Sequence, residues 1–292
     1  MPEAGDQKAP GRLFVVATPL GNLADITRRA IEVLGAVDLV AAENLGRTRK
    51  LLSHLGLSAK AVSYREQNRG PQGRRLIEVL RNGRDVALVT DAGTPGVSDP
   101  GRDLVGRAHE AGLRVVPVPG PSSVSAAVSA AGFEAASYVF VGFLPARASA
   151  RRKILTQWAP CPWPLVFFVP PHRAAVVVAD LLAVLGDREV LVAREMTKVH
   201  EEVVRLTLAA LARRIEDRGA VGEWTLVVAG RRKEGDRAGL TPAGAEPPGD
   251  GDILAALAKR VDLPPGRRAK AVAAELGVDR DRVYRLLIRR ST

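Results

Sequence analysis

The chain has 292 residues, 46% hydrophobic and 26% charged, with 43 Lys and Arg against 32 Asp and Glu and a formal net charge of +11. Its length and apolar content exclude a disordered chain and suit roughly two domains at about 150 residues each. One cysteine, Cys161, excludes an internal disulfide framework, and four scattered histidines (His54, His109, His172, His200) are too few for a zinc site of ordinary spacing, so a reducing cytoplasm and no structural metal are expected.

In chain order, the first twelve residues lack the basic-then-apolar run of a signal peptide. From Leu13 short apolar runs alternate with helical patterns: LFVVAT, a helix over 25–37 that Asp25 can cap, DLVAAE, a helix over 47–55, AVSY, a helix over 73–81, VALVT, a helix over 102–111, and LRVVPV. Continuous rather than alternating apolar strands between helices are the mark of a mostly parallel α/β sheet covered on both faces. A second series follows: YVFVGF, a basic helix over 147–158, LVFFV, a helix over 173–185, EVLVARE, VVRLTL, a helix over 208–217 and WTLVVAG. The most apolar stretch, residues 174–185, is interrupted by Asp180, so no membrane span is expected.

The fold class is therefore α/β, with an N-terminal domain over 12–118 and a second α/β domain with its own sheet over 119–230. Residues 231–250 are dense in Gly, Pro and charge and read as a linker. Residues 251–292 form a basic helical tail with helices over 252–261, 267–276 and 280–290 and a turn at Gly277 and Val278. The tail holds ten Lys and Arg against five Asp and Glu. Its small apolar spacing, followed by Arg280, Arg282, Tyr284 and Arg285, is like a helix-turn-helix. Across the chain 35 of the 43 basic residues are Arg, whose planar fork suits phosphate and stacks on bases, so a polyanionic partner is expected.

Five segments at predicted strand ends could carry chemistry. TPLGNLAD (18–25) makes a tight turn that admits a ligand to the backbone, although it would serve equally as an ordinary loop. TDAGTPGVSDPG (90–101) is longer than a βα loop needs. Its aspartates, Asp91 and Asp99, suit a ribose diol or a sulfonium, with Asp99 as a helix cap the structural alternative. VPGPSSVSAA (118–127) opens a helix at Ser122 or Ser123, where amides and hydroxyls can hold a carboxylate or an adenine edge or simply cap the helix. Glu43 with Arg47, Arg49 and Lys50, and Arg65, Glu66 and Asn68, fall on the same rim. In the second domain REMTKVHEE (194–202) offers Arg194, Glu195, Lys198 and His200. There is no GxGxxG or Walker motif to support dinucleotide or ATP binding.

TPLGNLAD, TDAGTPGVSDPG, VPGPSS, PPHR and REMTKVHEE, in this order and separation, resemble the ribosomal small-subunit RNA cytidine 2′-O-methyltransferase family of the tetrapyrrole methylase superfamily, and the likeness runs from Leu13 to Gly230. The resemblance implies S-adenosylmethionine (SAM) in the cleft between two α/β domains, a homodimer, and methylation of a cytidine ribose in 16S rRNA of the 30S subunit. By motif position it assigns cofactor contacts to Pro19, Asp91, Gly93, Pro95, Val97, Ser122 and Ser123. Phe168, Ala193 and Thr225 are added from strand ends. Arg47, Arg49, Arg65, Asn68, His200, Arg280, Arg282 and Arg285 are the expected RNA contacts.

The chain departs from the family at AENLGRT for the usual AEDTRHT, at YREQN for YHEHN, and at Val169, where Glu is common. A ribose hydroxyl needs a base within about 3 Å. Glu43, Asp99 and Lys198 are the candidates, and Lys198 would need a lowered pKa. Two rivals stay open: a precorrin-type tetrapyrrole methylase, which shares the cofactor cleft but leaves the basic tail unused, and a non-catalytic nucleic-acid-binding protein.

Overall fold

The computed structural model describes residues 9–134, 136–231, 248–276 and 278–289. The chain divides into two compact units at the Ala229/Gly230 boundary. The first contains two five-stranded sheets.

The first sheet is all parallel, in the order β3-β2-β4-β1-β5, from β1 (Arg12–Val16), β2 (Leu39–Ala42), β3 (Ala61–Ser63), β4 (Val86–Val89) and β5 (Arg114–Val118). All four residues of β4 are buried, as a central strand covered on both faces must be. One face packs Leu76, Leu80 and Leu104 of α3 (Arg69–Arg81) and α4 (Gly101–Glu110), and the other packs Ala30, Leu34 and Leu52 of α1 (Arg28–Ala36) and α2 (Leu45–His54). Because every strand runs the same way, the loops after all five open on one rim.

Capping chemistry sets the helix starts. Asp25 lies in a 3₁₀ turn capped by Asn22, while Thr27 accepts the Ala30 N–H and starts α1, so the expected Asp25 cap is replaced by one two residues later. Asn44 accepts from Gly46 and Arg47 and starts α2 at Leu45 rather than Arg47. This Asn stands where the family usually has Asp, and either side chain can do this work. The third helix begins four residues before the expected Gly73.

The second sheet has the order β6-β7-β10-β8-β9, from β6 (Val139–Phe143), β7 (Leu165–Val169), β8 (Glu189–Arg194), β9 (Glu202–Thr207) and β10 (Trp224–Val228). Only β6 and β7 are parallel; β10 runs antiparallel to both β7 and β8. The period-2 rule sorts its faces. Leu165, Phe167 and Val169 meet α6 (Ala148–Trp158), α7 (Ala174–Leu185) and α8 (Leu208–Arg218). Val166, Leu191, Ala193 and Val227 meet the small-residue helix α5 (Ser123–Ala131) on the other side. Arg151 and Asp180, 4% and 3% exposed, form a buried ion pair at 2.6 Å between α6 and α7, and Arg152 bonds the second Asp180 oxygen at 2.7 Å.

The second unit has α9 (Asp250–Ala258), α10 (Pro265–Leu276) and α11 (Arg280–Arg289) around Ile253, Leu257, Val272 and Val283. The Gly277 part of the expected turn and most of the expected linker (232–247) lie outside the described residues. No helix among the described residues is long and apolar enough to cross a membrane.

Candidate active site

A cavity of about 550 Å³ opens between the rim of the first sheet and the α5-facing side of the second. On the first-sheet side two loops are zipped together: Thr18 and Gly93 exchange backbone hydrogen bonds of 2.9 Å in each direction, with Gly93 at φ +80°. This pairing explains why a glycine is needed in the aspartate loop.

Glu43, at the end of β2, accepts the Thr90 hydroxyl at 2.6 Å and the Asp91 N–H at 3.3 Å, both on Oε2. One oxygen of Asp91 pairs with Arg47 at 3.2 Å. Its Oδ1 is buried with no hydrogen-bond partner. Burial, followed by the charge of Glu43, pushes the Asp91 carboxyl above its usual range, against the pull of Arg47 and Arg65. A buried acceptor without a donor is costly, and this one belongs to a side chain that lines the cavity.

Asp99 is spent differently. Its carboxylate accepts the Gly96 N–H at 2.9 and 2.8 Å and the Gly101 N–H at 2.7 Å, so it closes the long loop and starts α4. Burial, with Glu43 behind it, raises its pKa and the Gly96, Gly101 and Val97 amides pull it part of the way back.

From the second half comes the turn 195–201. Glu195 and Thr197 at φ +48° and +64°, with Ser98 at φ +67° across the cavity, are the non-glycine residues in the left-handed region among the described residues. Such strain concentrates at functional sites. Thr197 Oγ1 accepts the Asn22 N–H at 3.1 Å, and a Cβ on Gly21 would lie 2.3 Å from Lys198 Cγ. The glycine of TPLGN is therefore required by the stem of Lys198. Lys198 Nζ pairs with Glu195 at 2.9 Å and Glu223 at 3.0 Å. Burial favours its neutral form, but the two carboxylates outweigh it and its pKa is raised. The lowered pKa that a Lys198 base requires is therefore not met.

Of the residues singled out from sequence, the cavity wall gathers Glu43, Arg47, Asp91, Val97, Asp99, Ser123, Phe168, Lys198 and Thr225. Pro19, Gly93, Pro95 and Ala193 are buried and do not line it. Ser122 caps α5 instead, accepting the Ser125 N–H. Arg65 donates to the Glu43 carbonyl at 2.9 Å, and Asn68 bonds the Arg65 N–H and the Ser63 carbonyl, so both brace the rim from outside the cavity. Arg49 and His200 are exposed away from it. In the second unit Arg282 pairs with Asp250, Arg285 reaches the Asp281 carbonyl at 3.3 Å, and Arg280 is exposed.

Sequence reasoning missed Leu20, Phe143, His172, Met196, Glu223 and Trp224, all on the wall. Glu223 and Trp224 escaped because the strand-end rule looks at carboxyl ends, whereas antiparallel β10 presents its amino end to the cavity. Leu20 and Met196 sit inside quoted motifs, beside the residues that were chosen.

Two α/β sheets with a cleft between them, floored by an aspartate-glycine loop, define the tetrapyrrole methylase class, and the family model Tetrapyrrole (Corrin/Porphyrin) Methylases matches residues 12–212. The fold is also that of uroporphyrin-III-C-methyltransferase from Thermus thermophilus (TM-score 0.56, 23% identity, covering 75% of this chain and 94% of that one). Within the class, the chain is 43% identical to ribosomal RNA small subunit methyltransferase I of Halalkalibacterium halodurans over 75% of this chain and 76% of that protein. It is 39% identical to the Escherichia coli O157:H7 protein of the same name over 94% of each. The chain belongs to the ribosomal RNA small subunit methyltransferase I family and is a methyltransferase.

Proposed function

We propose that this methyltransferase moves a methyl group from SAM to the 2′-hydroxyl of a cytidine ribose in 16S rRNA of the small ribosomal subunit, in the cytoplasm. The observation that carries the reading is Asp91 on the cavity wall, a carboxylate whose buried Oδ1 has no hydrogen-bond partner. Its relatives' names supply the class of substrate. A carboxylate oxygen without a donor suits a cofactor that brings ribose hydroxyls and positive charge, and a cavity of about 550 Å³ lies within the usual range for a small-molecule site.

When bound, SAM supplies an electrophilic methyl on a sulfonium. Asp91, Val97, Ser123, Phe168 and Thr225 would hold it, with Pro19, Gly93, Pro95, Ser122 and Ala193 shaping the backbone and packing behind. Their contribution is to orient the reactants and exclude water.

The hydroxyl proton must go to a base. Lys198 is held protonated by its two carboxylates, and the Asp99 oxygens are taken up by loop amides. Glu43 remains: both of its hydrogen bonds end on Oε2, leaving Oε1 to accept the proton. Arg47, Arg49, Arg65, Asn68 and His200 around the rim, and Arg280, Arg282 and Arg285 in the second unit, supply phosphate contacts. The active species is a homodimer.

The test is incubation of the purified protein with methyl-labelled SAM and 30S subunits, followed by mass spectrometry of 16S rRNA nucleosides. Labelled 2′-O-methylcytidine is the expected product; label on a base, or none on the RNA, overturns the proposal. Glu43→Gln should retain SAM binding and lose transfer by about 100-fold or more.

A further inference from the structure

The last strand residue before the LPAR loop is placed by a backbone irregularity. Along β6, Val139 lies opposite Leu165 and Phe140 opposite Val166. The register then skips Val141 and resumes with Gly142 opposite Phe167 and Phe143 opposite Phe168. In a regular strand residues 140 and 143 point to opposite faces. The extra residue, with Gly142 at φ +75°, brings both rings to one face. They flank Phe168 edge-on, Phe140 at 5.0 Å and Phe143 at 5.3 Å between ring centroids. A Cβ on Gly142 would meet Ser98 Oγ at 3.2 Å, so the bulge abuts the strained residue of the aspartate loop.

The outcome is unfavourable for folding taken alone. Phe140 packs against the α5-facing core, but Phe143 is 54% exposed on the cavity wall beside exposed Val97, whereas Thr225 and Trp224 in the same wall are 5% and 7% exposed. A bulge that carries a large ring out of the core and onto the lip of a reaction cavity is explained by something that covers the ring there. The cofactor's polar anchor, Asp91, is the less exposed of the two, its side chain at 29% against 54% for Phe143, which leaves the ring to the second reactant.

Building on the ribose-methylation reading above, we propose that Phe143 is a stacking platform for a nucleobase of the RNA substrate, the base whose ribose is brought over the cavity. A single-stranded, unstacked base is recognised chiefly by stacking on an aromatic face, and the ring's rigidity then fixes the sugar attached to it. Phe143 is thus a positioning residue for the RNA and makes no demand on the cofactor.

The test compares Phe143→Leu, which keeps apolar bulk without an aromatic face, with Phe143→Tyr, which keeps the face. Transfer to 30S subunits is measured by labelled-nucleoside mass spectrometry and SAM affinity by calorimetry. F143L should lower kcat/KM for 30S by about tenfold or more, chiefly through KM, with F143Y within about threefold of the original and SAM affinity within about twofold in both. A wild-type KM for F143L overturns the proposal, and so does a parallel loss of SAM affinity, which would assign the ring to the cofactor. An unsubstituted protein that binds SAM yet leaves 30S unmethylated overturns the underlying ribose-methylation reading instead.

Discussion

The two walls of the cavity are built by different means. The first-sheet wall is made of loops, and two of its carboxylates are tied to backbone, Asp99 to Gly96 and Gly101 and Glu43 to Asp91, while Asp91 is not; the Thr18–Gly93 pair locks the two loops. The second-sheet wall has a strand-built part, where register alone sets Phe168, Thr225 and Phe143 side by side, flanked by the turns that carry His172, Met196, Lys198 and Glu223. Loops carrying charge into a half-buried site need internal donors to hold their shape, since nothing else satisfies their polar groups. A strand face needs only its ladder and a core behind it. The loops therefore carry the polar chemistry, Lys198 and Glu223 of the second half included, and the strands the shape.

That contrast predicts where damage falls. The largest effect belongs to the scaffold behind the strand-built wall. Asp180→Ala leaves buried Arg151 without its carboxylate and should cost about 3–5 kcal/mol, lowering the melting temperature by roughly 6–20 °C by calorimetry. The loop-built wall should respond in ligand affinity instead. Asp91→Asn removes a charge-assisted contact of about 1.5–3 kcal/mol, roughly 10- to 150-fold in SAM Kd, while the ligand-free protein melts no lower than the original because the charge that burial and Glu43 disfavour is gone. A D91N protein with unchanged SAM affinity would refute the division of labour. Gly21→Ala tests the seam between the walls. The added methyl displaces the Lys198 stem and should reduce transfer by about tenfold at a stability cost of about 1–3 kcal/mol.

The smallest effect is in pH. Burial first, and Glu43 second, raise the Asp91 pKa, so its contribution to stability is full below the ordinary aspartate range and lost as pH rises through the raised value. Burial also works against ionised Asp180, but its hydrogen bonds and ion pairs with Arg152 and Arg151 outweigh it and hold that pKa low. Its contribution is therefore present above the ordinary range and lost as pH falls through the lowered value. Melting curves across the acid range should show the D91N advantage shrinking as pH falls, with the Asp180→Ala deficit shrinking as well.

Much of the fold was legible beforehand. VALVT announced a central strand through unbroken burial, and LVFFV with WTLVVAG announced a second sheet. Helix starts were less legible, because Asn22, Thr27 and Asn44 are all competent caps and only packing chooses which begins each turn of helix. At the site, Asp91 and Glu43 were readable from their positions at the carboxyl ends of strands, whereas Thr225, near the amino end of β10, came only with the family resemblance. Glu223 and Trp224 were not readable, because strand direction is a property of the assembled sheet. Phe143 was hidden because a one-residue bulge reverses the parity that alternation would assign it.

What the amino-acid order determined by itself is local: hydrophobic period, the length and glycine content of the aspartate loop, the candidate carboxylates, and a family pattern spread over five motifs. Only the tertiary structure decided which of those groups are spent and which are free. A carboxylate's role follows from the donors around it, and those donors come from residues distant in the chain. Lys198 ends protonated between Glu195 and Glu223, Asp99 is consumed by its own loop, and Asp91 keeps one oxygen unclaimed.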